Sequence, residues 1–257
     1  MQNFKRLIDF YIQSSLHVGL AVVSLVYITA FSNDLHKHIG YSICVFFGTI
    51  LAYNFLKYFV VYRNKNFYSN KYYGILVLSI LAGIGFLFFF LWLKRSVQTH
   101  ILIAGLFVLI YPFLRKLGWL KLFLVSFVVT YVTVYIPYQN IKYLPFDFYV
   151  NLLQRFFILI SLLIPFEIMD TKTDSQTLNT LPQLFGISRT KVFGITLVIP
   201  FIVLEFLKQE SSYVVLPIGV ITVLFINFTT LERNKYYTSF WVESVPILWL
   251  FLLIFFK

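Results

Sequence analysis

Apolar residues run through this chain in long blocks rather than in alternation, and polar residues collect in the short gaps between them. An α-helix needs about 20 mainly apolar residues to cross a bilayer core about 30 Å thick, and blocks of this length meet that requirement. Lipid offers no partner to backbone N–H and C=O groups, so a spanning chain must form helices or a closed barrel. Continuous blocks, rather than ten-residue alternation, decide for helices. Nine blocks are legible, over residues 16–31, 41–61, 73–93, 101–114, 119–136, 152–166, 192–207, 213–228 and 240–256. The fourth and sixth are short and need flanking residues to span. A polar stretch, 231–239, separates the last two. Residues 4–12, with Lys5, Arg6 and Asp9, read as a surface-lying amphipathic start. The expectation is an all-α membrane protein of about nine transmembrane helices in a single bundle. With no internal repeat and no long linker, residues 1–257 read as one transmembrane helical domain.

Composition agrees. The chain is 60% hydrophobic and 12% charged, against roughly 45–50% and about 25% in soluble domains. Its one cysteine, Cys44, lies inside an apolar block, which excludes an internal disulfide and a thiolate metal site and reads as a small buried residue. The four histidines, His17, His36, His38 and His100, are too scattered to suggest a metal site. The first block, behind Lys5 and Arg6, lacks a small-residue cleavage site and reads as an uncleaved span. No C-terminal prenylation box follows the last block.

Basic residues orient the bundle. With the N-terminus inside, 14 of the 21 Lys and Arg residues fall on the inner side and 7 on the outer side. The prediction is a cytoplasmic N-terminus and, with an odd number of spans, a C-terminus outside, in the plasma (inner) membrane. The net charge of +11 is then mainly topological, and without a basic soluble domain nucleic-acid binding is not expected. Neither is an obligate protein partner.

The longest polar connection, 167–191, holds Glu167, Asp170 and Asp174 at i, i+3, i+7, one face of a helix. Like charges so placed repel unless a cation lies among them. They read either as a solvated span end, with Lys172 offsetting the charge, or as oxygen ligands for a hard cation such as Mg²⁺ whose coordination substrate phosphates complete. The chain then passes through a polar turn to Thr180-Leu181-Pro182, a short Pro-initiated helix, and Gly186, with Ser188 placed to cap the next span. Asp, three residues, Asp, a polar stretch, Thr-Leu-Pro and Gly resemble the second aspartate-rich motif of the UbiA-type intramembrane prenyltransferases, although the spacer is about one residue shorter than usual. Tyr111-Pro112-Phe113-Leu114-Arg115-Lys116-Leu117-Gly118-Trp119 resembles that family's Tyr-Pro-then-basic-pair signature. The likeness extends over essentially the whole chain, because nine helices with an inside N-terminus is also the family's architecture.

The resemblance implies a defined chemistry. In that family two acidic motifs face each other across a cavity and hold Mg²⁺ on the diphosphate of a prenyl donor. The allylic C–O bond ionises, and an acceptor carbon or oxygen captures the cation. Carried onto this chain, Asp170 and Asp174 are the Mg²⁺ ligands and Arg115 and Lys116 the diphosphate contacts. Arg189 and Lys191 are weaker contacts, better read as topology signals. The acceptor is hydrophobic, aromatic or lipid.

The first acidic motif departs from the pattern. Asn54 is kept at the inner end of span two, but Phe55, Tyr58 and Tyr62 stand at the carboxylate positions, and no acidic residue occurs between Asp34 and Asp147. Either catalysis is lost, leaving an isoprenoid-binding relative, or the site is compensated. Lys57, on the helical face of Asn54, is the compensating candidate, its ammonium holding the diphosphate beside Asn54 and acting in catalysis. The plain alternative is that Lys57 snorkels to the membrane surface. The 21% aromatic content suits a cavity that shelters a carbocation, yet it equally suits lipid contact. A transporter would show mid-span ionisable groups and paired broken helices. Glu205, Glu243 and Arg155 lie near span ends, and Pro200 and Pro246 form no obvious pair.

Overall fold

A computed structural model describes residues 2–35, 38–63, 70–114, 118–139, 141–173 and 178–256. These residues form helices and short connections, with no strand among them. In chain order the helices are α1 (Gln2–Gln13), α2 (Leu16–Ser32), α3 (Ile39–Arg63), α4 (Asn70–Leu91), α5 (Arg95–Leu114), α6 (Leu120–Thr130), α7 (Ile136–Tyr138), α8 (Phe146–Asp170), α9 (Leu181–Phe185), α10 (Ile187–Glu205), α11 (Val215–Phe228) and α12 (Val245–Phe256). A π turn, Tyr131–Tyr135, joins α6 to α7 in one rod, and a second, Tyr237–Val242, precedes α12.

Seven of these segments are long and apolar enough to cross a membrane, which makes this an integral membrane protein. The expected count of nine is not reached among the described residues. The pair α1 and α2, bent by 55°, adds an eighth only if taken as one broken span. Helix α11, the expected eighth span, has 14 residues, about 21 Å at 1.5 Å per residue and short of the bilayer core. The two spans that looked short in sequence are longer in space, because α5 and α8 recruit polar residues such as Gln98, Asp147 and Asn151 into their first two turns.

Helix α8 is the axis of the packing. Ile158 and Leu162 meet Leu25 and Ile28 of α2, Val198 and Phe201 of α10, Ile218 of α11 and Trp249 of α12. One to two turns on, Ile160, Ile164 and Ile168 pack with Leu122 of α6 and Ile226 of α11. Close approach of α10 depends on Gly194: a Cβ there would lie 2.8 Å from Ile164, and Ser161 Oγ donates to the Gly194 carbonyl at 2.9 Å. Helix α5, by contrast, exposes Leu102, Leu106, Leu109 and Ile110, a surface suited to lipid.

Alternating direction brings the ends of α3, α5 and α8 and the starts of α2, α4, α6, α10 and the last span to one end of the bundle. This is the basic end of the sequence pattern. Residues from segments far apart in sequence converge there.

Candidate functional site

Helix α1 stops at Ser14 because Ser15 adopts a left-handed backbone (φ 63°), and α2 starts afresh at an angle. Asn54 of α3 holds that break. Its Oδ1 accepts from Ser15 Oγ at 2.7 Å, and its Nδ2 donates to the Ser14 carbonyl at 3.1 Å and to Ser79 Oγ of α4 at 2.9 Å. Tyr58, one turn further, donates to the Gln13 carbonyl at 2.8 Å. Two residues at first-motif positions are therefore engaged in tying α3 to the α1–α2 break. Asn54, expected beside Lys57 at the diphosphate, has a fully buried amide whose two polar atoms are both used within the fold.

Their neighbours on α3 look elsewhere. Lys57 is exposed, with its ammonium 5.5 Å from the centre of the Tyr58 ring. Tyr53 is half-buried and lies within electrostatic reach of Glu243, Tyr111 and Asp170. Glu243 is itself within reach of Lys57 and Tyr11. Helices α1, α3, α5 and α8 and the start of the last span thus bring polar side chains within electrostatic reach of one another at the basic end. Of the expected site residues, Lys57 and Asp170 are among these groups.

Asp170, the last residue of α8, is exposed, whereas Glu167 one turn earlier is buried and pairs with Lys121 of α6 at 3.0 Å. The cation that relieves the acidic face is Lys121, not the exposed Lys172 expected from sequence. It comes from another helix, which sequence spacing does not reveal. With Glu167 buried, Asp170 is the exposed carboxylate at this end of α8 among the described residues.

Asp174, Arg115 and Lys116 lie outside the described residues, but the segments flanking them meet. Gly118, with φ +60°, is packed so tightly that a Cβ would fall 1.9 Å from the Leu178 carbonyl oxygen and 2.3 Å from that of Asn179. Only glycine combines this backbone with this contact. Thr180 N–H donates to Gln183 Oε1 at 3.1 Å, starting α9 as the Thr-Leu-Pro pattern predicts. The Tyr-Pro segment and the polar turn after α8 are one structural unit. Lys191 belongs elsewhere: it donates to the Asn227 carbonyl at 2.7 Å and ties α10 to α11.

The wall opposite α8 is also fastened. Tyr11 OH donates to His17 Nδ1 at 2.8 Å, and His17 Nε2 donates to the Phe240 carbonyl at 3.0 Å in the second π turn. Asp9 accepts from Tyr236 OH, and the carboxylate pushes that phenol above its ordinary value. Sequence reading missed Tyr53 and passed over Glu243 as a span-end charge. A signal for Glu243 was present, since an acid inside a span is costly and is by default functional. Tyr53 carried none among so many tyrosines.

No group of three or more metal-binding side chains forms among the described residues. Mg²⁺ commonly takes only one or two carboxylates and completes its shell with substrate phosphates and water, and Asp170 is a described, exposed carboxylate of that kind at the end of α8.

No protein-family model matches the sequence, and no curated protein matches it. Solved structures do. The apo structure of a UbiA homologue from Aeropyrum pernix K1 aligns with a TM-score of 0.67 at 12% identity, over 92% of this chain and 96% of the other. A UbiA homologue from Archaeoglobus fulgidus, bound to GPP and Mg²⁺, aligns with a TM-score of 0.62 at 13% identity, over 95% and 98%. Over nearly its whole length, then, this chain has the UbiA-type membrane prenyltransferase fold.

Proposed function

We propose that the chain binds a prenyl diphosphate at the basic end of the bundle and transfers the prenyl group to a hydrophobic acceptor, aromatic or lipid. The observation that carries this reading is that Tyr53, Tyr111, Asp170 and Glu243 come within electrostatic reach of one another at the basic end, with Lys57 in reach of Glu243. The GPP and Mg²⁺ in the Archaeoglobus fulgidus homologue support it. With the N-terminus cytoplasmic, this end faces the side where water-soluble diphosphates are available.

Each residue has a role in this reading. Asp170 and Asp174 hold Mg²⁺, which when bound neutralises the leaving diphosphate. Lys57 places an ammonium on the opposite wall, where carboxylates are missing, and takes diphosphate oxygens directly. Arg115 and Lys116, on the segment that Gly118 anchors, bind the same group. Asn54 positions the wall rather than touching the ligand. Tyr53 and Tyr111 present π faces to the allylic carbon as its C–O bond breaks. The bond electrons leave with the diphosphate; the acceptor supplies the electron pair of the new bond and releases its proton to the departing diphosphate or to water.

A second reading, an inactive isoprenoid-binding relative, is favoured by Tyr58, which stands at a carboxylate position and is engaged in a structural bond. Incubation with labelled prenyl diphosphates, Mg²⁺ and a panel of aromatic and lipid acceptors decides. Transfer by the parent chain that is lost in Asp170→Ala and Asp174→Ala establishes an enzyme. Diphosphate binding without transfer establishes the inactive relative, and no binding at all overturns both.

A further inference from the structure

One turn before Asp170, helix α8 carries a second acid that the proposed metal site does not use. We propose that this acid, Glu167, is a positioning residue: it holds the Lys121 ammonium at the buried turn of α8, so that the lysine does not compete with the metal at Asp170. The role rests on the Mg²⁺ and diphosphate site proposed above.

Packing brings the pair together. Lys121 is the second residue of α6, and its N–H donates to the Gly118 carbonyl at 3.3 Å. Gly118 in turn sits against the carbonyls of Leu178 and Asn179, so the start of α6 is fastened to the chain just beyond α8. The next residue, Leu122, packs with Ile164 and Ile168 of α8. Between these two anchors Lys121 Nζ lies 3.0 Å from Glu167 Oε1, and the two side chains are only 7% and 8% exposed. The helix end that carries Asp170 is held as well. Thr171 Oγ1 donates to the Glu167 carbonyl at 2.9 Å, and Thr173 N–H donates to the Asp170 carbonyl at 2.9 Å. Glu167 and Asp170 thus share one helical face, with about 5–6 Å between their Cβ atoms.

A lysine beside two acids on one helical face has a choice. Its flexible stem and compact charge can serve either one. Mg²⁺ is commonly held by one or two carboxylates together with substrate phosphates, so an ammonium seated on Asp170 would compete for oxygens that the ion needs. Burial decides the choice. Breaking a buried pair strands a charge away from water, whereas an exposed pair is worth little. Glu167 is buried and Asp170 exposed, so the ammonium stays with Glu167. The consequence is larger here because Phe55, Tyr58 and Tyr62 replace the first-motif carboxylates, which leaves the second motif to hold the metal.

The test measures GPP binding to the full chain in lipid nanodiscs across a Mg²⁺ titration, with thermal unfolding recorded in parallel. Glu167→Gln releases the ammonium toward Asp170 and should raise the Mg²⁺ concentration for half-maximal binding about tenfold. Binding at saturating Mg²⁺ should stay within about threefold of the parent. Lys121→Met breaks the same pair without releasing a cation, and its Mg²⁺ requirement should rise no more than about twofold. The Glu167→Gln, Lys121→Met double variant should return to within about threefold of the parent, because the two residues act through one contact. A pair with a purely structural role would change or spare the Mg²⁺ requirement equally in both single variants, and that result overturns the proposal. So does loss of GPP binding at every Mg²⁺ concentration in Lys121→Met, which would make Lys121 a ligand contact. If Glu167→Gln does not fold, Glu167→Asp decides: a raised Mg²⁺ requirement that Lys121→Met abolishes supports the role, and an unchanged requirement overturns it. No parent binding, or binding that needs no Mg²⁺ and survives Asp170→Ala, overturns the metal site itself, a different result from failure of Glu167 alone.

Discussion

Two polar regions lie in this bundle, one at each end, and they are built to opposite plans. At the end away from the proposed site, Gln154 and Arg155 of α8 are buried with Glu205 of α10 and Lys208 beyond it. Glu205 and Lys208 pair at 2.6 Å, Gln154 bonds to both at 2.7 Å, and Ser212 N–H donates to the second Glu205 oxygen at 3.0 Å. Burial pushes the Lys208 ammonium below its ordinary range while Glu205 beside it pulls it back. Arg155 donates to the Leu25 carbonyl and to Thr29 Oγ1 and lies 5.0 Å from the Trp249 ring. That region closes on itself and joins four helices. At the basic end, Lys57 and Asp170 are exposed and Tyr53, Tyr111 and Glu243 are half-buried. Charge within a span therefore has two meanings. Where buried donors and acceptors close on protein partners, the charge holds helices together; where charged side chains stay exposed at the end of the bundle, they remain in reach of solvent.

Substitutions can break that distinction. The largest effect is expected for Glu205→Ala, which strands the Lys208 ammonium in a buried site and should cost about 3–5 kcal/mol. Thermal unfolding in detergent measures it, and prenyl diphosphate binding below the new midpoint should survive. Gly118→Ala comes next. The strained backbone and the contact with Leu178 force the two loops apart, at about 2–3 kcal/mol, and diphosphate binding should fall together with stability, which separates a loop that shapes the site from the network that does not. Asn54→Leu should cost about 2 kcal/mol by leaving the Ser14 carbonyl and the Ser15 and Ser79 hydroxyls without their partner. Hydrogen exchange should then rise first at the α1–α2 break. The smallest effect on stability is expected for Asp170→Asn, within about 0.5 kcal/mol, with Mg²⁺-dependent diphosphate binding lost. A large loss of stability there would mean that Asp170 belongs to the closed kind of region after all.

Much of the architecture could be read directly from the residues. Block length and the absence of charge determined helices in a membrane, because the bilayer enforces that relation on each segment separately. The acidic end of α8, the Thr-Leu-Pro start of α9 and the Tyr-Pro segment were legible as local patterns, and with them a resemblance that the overall fold supports. Span number was less legible, since a fixed window of apolar residues cannot tell a short helix such as α11 from a full crossing, nor a helix broken at Ser15 from a straight one.

Partnership was decided only in three dimensions. Nothing in the spacing of Asn54 and Lys57 distinguishes a residue locked between Ser14 and Ser79 from one exposed at the end of the bundle. Lys121 finds Glu167 across 46 positions of sequence, and Glu243 comes within electrostatic reach of Lys57 across 186. The physical reason is that hydropathy is a property of each segment and its solvent, whereas the use of a charge depends on which other helix turns toward it. The amino-acid sequence by itself determined that this chain crosses a membrane as helices and carries an acidic, polar loop after α8. Tertiary packing decided which of its polar groups are buried against one another and which stay exposed at the basic end.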